Sequence, residues 1–501
     1  MPTLVRSKTA VVAALAGAAL AACAVGPDFV RPEAPKTDRY TADPLPTATA
    51  SAPVTGGATQ RLDFGAEIPE QWWTLFRSPA LDELVRAALD ENPSLAAARA
   101  TLRQAQEALR AERGILLSPA IDAGLSARRQ RVTGAAFGQP SAPATEFSLY
   151  NASVNVSYSV SLTGGAQRTL ESLRARVDYQ RFQLEAVHLA LTANIITAAV
   201  TEAALRAQIR ATQDMVATEE QQLTIVEQQF ELGAVSRPEV LTQRAQVAQT
   251  RATLSPLNKA LAQTRHALAI LVGKLPSDAT LPEFELEGFE LPQALPVSLP
   301  SALVRQRPDI RAAEALLHSA SADIGVATAA MLPQLTLSGS IGSESPNSHD
   351  LFQSGAGVWS LGAGLLQPLF HGGELAARRR GAIAAYDQAA AQYRQTVLLA
   401  FQNVADVLRA LDADAVTLKA QAEADAAARD VLTLSQSQFK LGAVSYVVLL
   451  LAQRQYRLAH VALLQAQATR YADTAALFQA LGGGWWNHAA LNAENDGTLP
   501  R

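Results

Sequence analysis

The sequence contains a single cysteine, Cys23, and its surroundings favour covalent modification of the thiol. Arg6 and Lys8 precede an uncharged apolar stretch, residues 10–22, which is too short to cross a membrane as a helix. A basic flank followed by such a stretch is typical of a secretory signal peptide. The stretch ends in the letters LAAC, which resemble a bacterial lipoprotein cleavage site. At such a site the cysteine thiol receives a diacylglycerol and the cysteine becomes the new N-terminus.

The alternative for Cys23 is a buried free thiol, but its place at the end of an apolar stretch favours lipidation. One cysteine leaves no disulfide within the chain. Ala24 follows it, whereas an aspartate there resembles the inner-membrane retention signal of enteric bacteria. The sequence therefore predicts delivery to the outer membrane, with lipid attached through Cys23 and the protein extending into the periplasm.

No other group of residues predicts chemistry. The seven histidines lack the HExxH spacing, and neither a P-loop nor a GxSxG motif is present. The net charge of −4 provides no basic surface for nucleic acid. We therefore expect a protein that is not an enzyme, with no catalytic residue, no metal site, no cofactor and no nucleic-acid partner.

An eight-residue sequence occurs twice, as QFELGAVS at 229–236 and QFKLGAVS at 438–445. Other landmarks recur in the same order in both halves, which indicates an internal duplication. The predicted organisation is a signal peptide (1–22), a lipidated N-terminal segment (23–75), two structural repeats (76–285 and 286–485) and a C-terminal tail (486–501).

Each repeat is predicted to contain a helix, two strands and a long helical hairpin. Alternation of apolar and polar residues predicts strands near 121–128 and 153–162, and more weakly near 335–341 and 359–365. Two proline-free stretches, about 166–232 and 374–441, predict helices on the order of 100 Å long. Four-three spacing of apolar residues in the second of them, from Val397 to Ala422, predicts a coiled-coil contact.

The repeated octapeptide is predicted to be the turn of each hairpin. Gly233 and Gly442 stand where a helix C-terminus favours a left-handed residue. Ser236 and Ser445 stand where the next helix needs an N-cap. Pro256 is predicted to interrupt the returning helix of the first hairpin.

Four strands are too few for a transmembrane barrel, since open edges leave unpaired backbone groups in lipid and the smallest outer-membrane barrels have about eight strands. Three copies of the chain would supply twelve strands and twelve helices. The fold class predicted is therefore mainly α with a transmembrane β-barrel part that needs several copies of the chain to close. A soluble periplasmic coiled-coil lipoprotein with a small sheet remains the alternative.

The sequence resembles the TolC-like outer membrane factors, in particular the lipoprotein (NodT) branch of resistance-nodulation-division efflux systems. The resemblance covers nearly the whole chain after the signal peptide and rests on short motifs along it. These are CAVGPDF from Cys23, WWTLF from Trp72, RPDI from Arg307, PLFHGG from Pro368, both LGAVS turns, and LGGGW from Leu481.

The resemblance implies a homotrimer that closes as a 12-strand barrel in the outer membrane, continued by a 12-helix tunnel across the periplasm. It also implies that this trimer is an exit duct through which small molecules such as drugs or toxic compounds pass passively. Its partners would be a periplasmic adaptor protein, an inner-membrane pump and outer-membrane lipid. The alternative within transport is a type I secretion exit duct. The resemblance also implies that the hairpin turns are where the adaptor docks: Gly233, Ala234, Val235, Ser236, Gly442, Ala443, Val444 and Ser445.

One departure from the family concerns the tunnel mouth. Family members often carry acidic residues just past the second turn, but here the stretch YVVLLL, residues 446–451, is uncharged. The candidates for an apolar constriction are Val447, Leu450 and Leu451. Packing in the core is the alternative role for these side chains.

Overall fold

The computed structural model describes residues 24–138, 141 and 143–487. These residues form two compact units, each drawn from both halves of the chain. The sheet unit contains the residues up to 32 together with 101–180 and 313–393. The hairpin unit contains 33–100, 181–312 and the residues from 394 onward.

The described residues contain nine α-helices. In chain order they are α1 (Pro79–Glu91), α2 (Pro93–Leu117), α3 (Gly165–Glu231), α4 (Arg237–Ala252), α5 (Leu254–Leu271), α6 (Pro300–Gln306), α7 (Pro308–Ala329), α8 (Glu374–Lys440) and α9 (Tyr446–Leu481). Helices α3 and α8 have 67 residues each, as the two proline-free stretches predict. Helix α3 also contains a stretch apolar enough to cross a membrane, a property shared by buried helices of soluble proteins.

The described residues also contain six strands: β1 (Arg61–Phe64), β2 (Ala120–Val132), β3 (Thr145–Val160), β4 (Ala294–Val297), β5 (Gln334–Ser345) and β6 (Gly357–Leu366). Strands β2, β3, β5 and β6 are the four that the alternation of residues predicts. Strands β1 and β4 form a parallel pair in the hairpin unit that the sequence analysis does not predict.

The order of elements repeats along the chain. A helix, two strands and a long helix occur as α2, β2, β3 and α3, and again as α7, β5, β6 and α8. The returning arm differs between the halves, because α9 is continuous whereas the first return is divided into α4 and α5 at Thr253. This break lies three residues before Pro256, where the missing N–H and the proline ring disturb the preceding turn. The predicted interruption is therefore present.

The four-stranded sheet is antiparallel, with the order β2-β3-β5-β6. Its register places apolar residues of all four strands in common rows on one face. One such row consists of Ala123, Val154, Ile341 and Trp359. One neighbour of each of these residues lies in a row on the opposite face of the sheet, which consists of Asp122, Asn155, Ser340 and Ser360. The sheet thus has one apolar and one polar face.

The hairpin unit contains the main hydrophobic core. The predicted coiled-coil positions are buried there from Val404 to Leu418, with at most 2% of each side chain exposed. The indole ring of Trp72 stacks on Phe478 with 5.0 Å between ring centroids. Burial of these large apolar side chains, which is favourable in proportion to area, holds the long helices in place.

Candidate functional site

The two repeated turns have the same backbone geometry. Gly233 and Gly442 adopt φ angles of 74° and 72°, in the left-handed region that glycine enters without cost. In the first turn the N–H of Ala234 donates to the carbonyl of Gln229 at 2.8 Å, and in the second Ala443 donates to Gln438 at 2.9 Å. These bonds close a Schellman-type end on each long helix, so the predicted left-handed conformation of both glycines at a helix end is confirmed.

The serines of the turns differ in their bonds. The Glu239 carboxylate accepts from the backbone N–H of Ser236 at 2.6 Å, which is one bond of a capping box, and it also accepts from the Ser236 hydroxyl at 3.0 Å. Ser445 occupies the N-cap position of α9 but makes no side-chain capping bond. The predicted cap is therefore complete only in the first turn.

Most of the eight turn residues are exposed. Within the part of the chain that the structure describes, no atom outside the adjoining residues lies within 4 Å of the position a Cβ would take at Gly233 or Gly442, so the surface in front of both is open. Val235 and Val444 are half-buried, and both pack against one hydrophobic cluster. That cluster consists of Val226, Val240, Phe439, Tyr446 and Leu449, which come from both hairpins. The two turns of a protomer are therefore held side by side and point into solvent together.

Polar contacts behind the turns join the two hairpins further. The Tyr446 hydroxyl is hydrogen-bonded to the side chain of Gln243, whose amide donates to the carbonyl of Glu219 at 2.8 Å. Burial raises the pKa of Tyr446, so the phenol stays protonated near neutral pH. Farther along, Arg457 donates to the Thr250 hydroxyl at 2.8 Å. Sequence analysis missed these residues, because no local pattern marks a bond between two hairpins.

The three candidates for a constriction do not share one environment. Val447 and Leu451 lie one turn apart on α9, and each has 61% of its surface exposed. Leu450 is half-buried and packs against the cluster behind the turns. Of the three candidates, only Val447 and Leu451 are thus exposed enough in the protomer to line a tunnel formed with other copies.

The apolar sheet face is the second candidate site. Ile341, Trp359 and Leu361 have 67%, 76% and 81% of their surfaces exposed, far more than apolar side chains of this size have in a soluble core. A contiguous apolar face of this kind marks contact with lipid or with another apolar surface. On the polar face behind it, the hydroxyls of Ser340 and Ser360 lie 2.9 Å apart.

Both outer strands of this sheet, β2 and β6, have one unpaired edge among the residues that the structure describes. An exposed edge of this length is a site for pairing with another chain.

No group of three or more His, Cys, Asp or Glu side chains is arranged to hold a metal ion within residues 24–138, 141 and 143–487. Cys23 lies outside the described residues.

A two-faced sheet joined in sequence to long helical hairpins is the arrangement expected of a channel-forming protein of the outer membrane. The chain belongs to the outer membrane efflux protein family, whose model matches residues 84–274 and 299–483. Its two matched segments correspond to the two halves of the duplication. The chain is accordingly an outer-membrane channel protein for efflux.

Relatives and solved structures agree with this assignment. The chain is 30% identical to the toluene efflux pump outer membrane protein TtgC of Pseudomonas putida over 469 residues, covering 93% of this chain and 94% of TtgC. It is 32% identical over 418 residues to the pyoverdine export outer membrane protein OpmQ of Pseudomonas aeruginosa, covering 83% of this chain and 87% of OpmQ.

Among solved structures, the outer-membrane channel OprN superposes with a TM-score of 0.82 at 28% identity, covering 92% of this chain and 100% of OprN. The open state of the MtrE outer membrane channel of Neisseria gonorrhoeae gives 0.78 at 28% identity, covering 92% and 99%. The likeness confirms the predicted fold class, mainly α with a transmembrane β part. It also supports efflux over a structural lipoprotein or a type I secretion duct.

Proposed function

We propose that this chain works as a homotrimeric exit duct of a tripartite efflux pump, through which small molecules leave the cell by passive passage. The observation that carries the trimer is the four-stranded sheet with an apolar face and two unpaired edges. In lipid such edges must be paired, and three sheets joined edge to edge give twelve strands, well above the minimum of about eight.

The apolar face would then contact lipid and the polar face would line the pore. Residues such as Asp122, Asn155 and Ser340 on the polar face offer hydrogen bonds to water and no specific pocket. A wetted pore of this kind discriminates little between solutes. Toluene and pyoverdine appear in the names of two relatives. For this chain we propose drugs or other toxic small molecules as the substrate class, with the energy supplied by an inner-membrane pump.

The two exposed turns are the proposed docking site for a periplasmic adaptor. Gly233, Ala234, Ser236, Gly442, Ala443 and Ser445 present small side chains or bare backbone, which allows a helix of the partner to approach closely. A trimer would present six turns in adjacent pairs.

Val447 and Leu451 are the proposed residues of the tunnel mouth. Each of the segments 76–285 and 286–485 is proposed to be one structural repeat.

The trimer is tested by extraction and conductance. Detergent-solubilised protein is expected to have about three times the mass of one chain, 53.0 kDa with the signal peptide. The same preparation is expected to form channels in planar bilayers. A stable monomer that stays soluble without detergent after replacement of Cys23 would instead favour the structural-lipoprotein alternative.

Lipid attachment at Cys23 is tested by Cys23→Ser, which is expected to abolish labelling of the protein by radioactive palmitate. Insertion into the outer membrane is expected to persist, because an acyl anchor adds attachment without forming any strand. Unchanged palmitate labelling in Cys23→Ser would contradict the lipoprotein assignment. Loss of both labelling and insertion would show that the anchor is also needed for assembly.

A further inference from the structure

The residues that directly follow Cys23 are bound by a buried arginine of the sheet unit. Arg168, in the first turn of α3, has 4% of its surface exposed. Its guanidinium donates to the backbone carbonyls of Val25 at 3.1 Å and of Ala24 and Gly26 at 3.4 Å each. Three consecutive carbonyls converging on one guanidinium fix the path of the chain rather than a particular side chain.

Acidic and aromatic groups complete this binding site. Arg168 also contacts the carboxylates of Asp28 at 2.6 Å and Glu171 at 2.7 Å, which compensates for the burial of its charge. Glu171 in turn contacts His318 at 2.9 Å. The ring of Phe29 stacks on His318 with 4.3 Å between centroids and 13° between planes. The segment is thus held at both ends, by its backbone near Val25 and by the ring of Phe29.

Helix α7 leaves space for the segment through one glycine. A Cβ at Gly325 would lie 2.7 Å from Cγ of Arg168 and 2.8 Å from the carbonyl oxygen of Val25. A Cβ at Gly26 would lie 2.4 Å from Cα of Gly325. Glycine within a helix costs roughly 1 kcal/mol relative to alanine. The close approach of the N-terminal segment is the physical reason for a glycine at this position.

The bound segment ends beside the sheet. The N–H of Val25 donates to the carbonyl of Thr163 at 3.0 Å, and Thr163 follows the end of β3 by three residues. Ala24 packs against Gly164, where a Cβ would come within 2.4 Å of its Cα. Large apolar side chains are exposed at this same end of the strands: Leu162, Leu366, Leu369 and Phe370. We call these four residues the apolar collar.

We infer that Arg168 is a positioning residue that holds residues 24–29, which directly follow Cys23 at the mature N-terminus, so that the lipid on Cys23 lies against the apolar collar. Cys23 precedes the bound Ala24 directly, and neighbouring Cα atoms are about 3.8 Å apart. The acyl chains would then cover the end of the apolar sheet face that lies beside Ala24, instead of forming a loose tether. This inference rests on the proposed lipidation of Cys23.

The test follows the position of the acyl chain. Cells are fed a palmitate analogue that carries a diazirine and an alkyne, the protein is irradiated in its membrane, and crosslinked peptides are identified by mass spectrometry. In the unaltered protein we expect crosslinks to peptides that contain the apolar collar. In Arg168→Met, which keeps an unbranched side chain without donors, we expect these crosslinks to fall about tenfold, the scale of losing charge-assisted hydrogen bonds. Labelling of Cys23 itself is expected to be unchanged.

Two further variants separate positioning from general stability. Arg176→Met is the matched control, because Arg176 also lies on α3 and bonds Ser319 and Asp323 without touching the N-terminal segment. It is expected to keep the crosslinks. Gly325→Ala fills the space of the segment while favouring the helix, and it is expected to reproduce the loss. Gly325→Ala also tests the inference if Arg168→Met fails to assemble.

Hydrogen exchange provides a second readout. The N–H of Val25, which is bonded to Thr163, is expected to be protected in the unaltered protein and to exchange freely in Gly325→Ala and Arg168→Met. Absence of any palmitate label on the unaltered protein would overturn the anchor and this inference with it. A labelled protein whose crosslinks and Val25 exchange are the same in Gly325→Ala as in Arg176→Met would overturn this inference alone.

Discussion

Gly442→Arg is expected to abolish crosslinking to the adaptor and efflux while the protein still assembles in the outer membrane. The glycine has a φ of 72°, and apart from the adjoining residues no described atom lies within 4 Å of the position that a Cβ would take. A long cationic side chain would project from the turn and keep a partner helix away. The strain of a non-glycine residue at this φ is about 1–2 kcal/mol, which is small beside the buried cluster behind the turns.

The control is Ser437→Arg, which places the same side chain on an exposed position of α8 just before the turn. It is expected to leave adaptor crosslinking in place. The double variant Gly233→Arg with Gly442→Arg is expected to assemble as well as the single one, since both turns lie in open surroundings. Normal adaptor crosslinking in the double variant would mean that the octapeptide is a helix end used twice and no docking site.

Ile341→Arg is expected to prevent stable insertion into the outer membrane. Ile341 lies in the apolar row with Val154 and Trp359, well inside β5. An arginine on the lipid face of a barrel costs about 2–4 kcal/mol near the bilayer midplane, and a trimer carries it three times. To measure insertion, outer membranes are extracted with urea, and the fraction of the protein that remains in them as trimer is determined.

Ser340→Arg is the matched control, because it changes the adjacent residue to the same side chain. Ser340 lies in the polar row with Asn155 and Ser360. Its arginine would face water in the pore and is expected to leave insertion close to that of the unaltered protein. Equal recovery of the two variants would contradict the assignment of lipid and pore faces.

The elements predicted well from the sequence depend on local signals. The long helix predicted at 166–232 is found at Gly165–Glu231, because its ends are set by glycines next to a proline-free stretch. The turn glycines were predicted from their own position at a helix end, and their φ angles agree. The strand faces follow from alternation of residues, which the observed register preserves.

Features that depend on distant contacts were missed. Strands β1 and β4 have four residues each, too few for a periodic pattern, and Arg61 pairs with Ala294, farther along the chain than the length of one repeat. The bond of Tyr446 to Gln243 joins residues 203 positions apart. Arg168 resembles any other arginine near a helix N-terminus, and only the fold brings the carbonyls of residues 24–26 to it.

The two unpaired edges of the sheet also have a consequence for biogenesis. A newly exported protomer must cross an aqueous compartment with an apolar face and open strands, which together make it prone to aggregation. In the proposed trimer no folding step within a single chain removes this hazard, because the partners of β2 and β6 would belong to other copies. In the proposed trimer this exposure ends only when protomers meet, so assembly depends on the concentration of fresh chains at the membrane as well as on the folding of each chain.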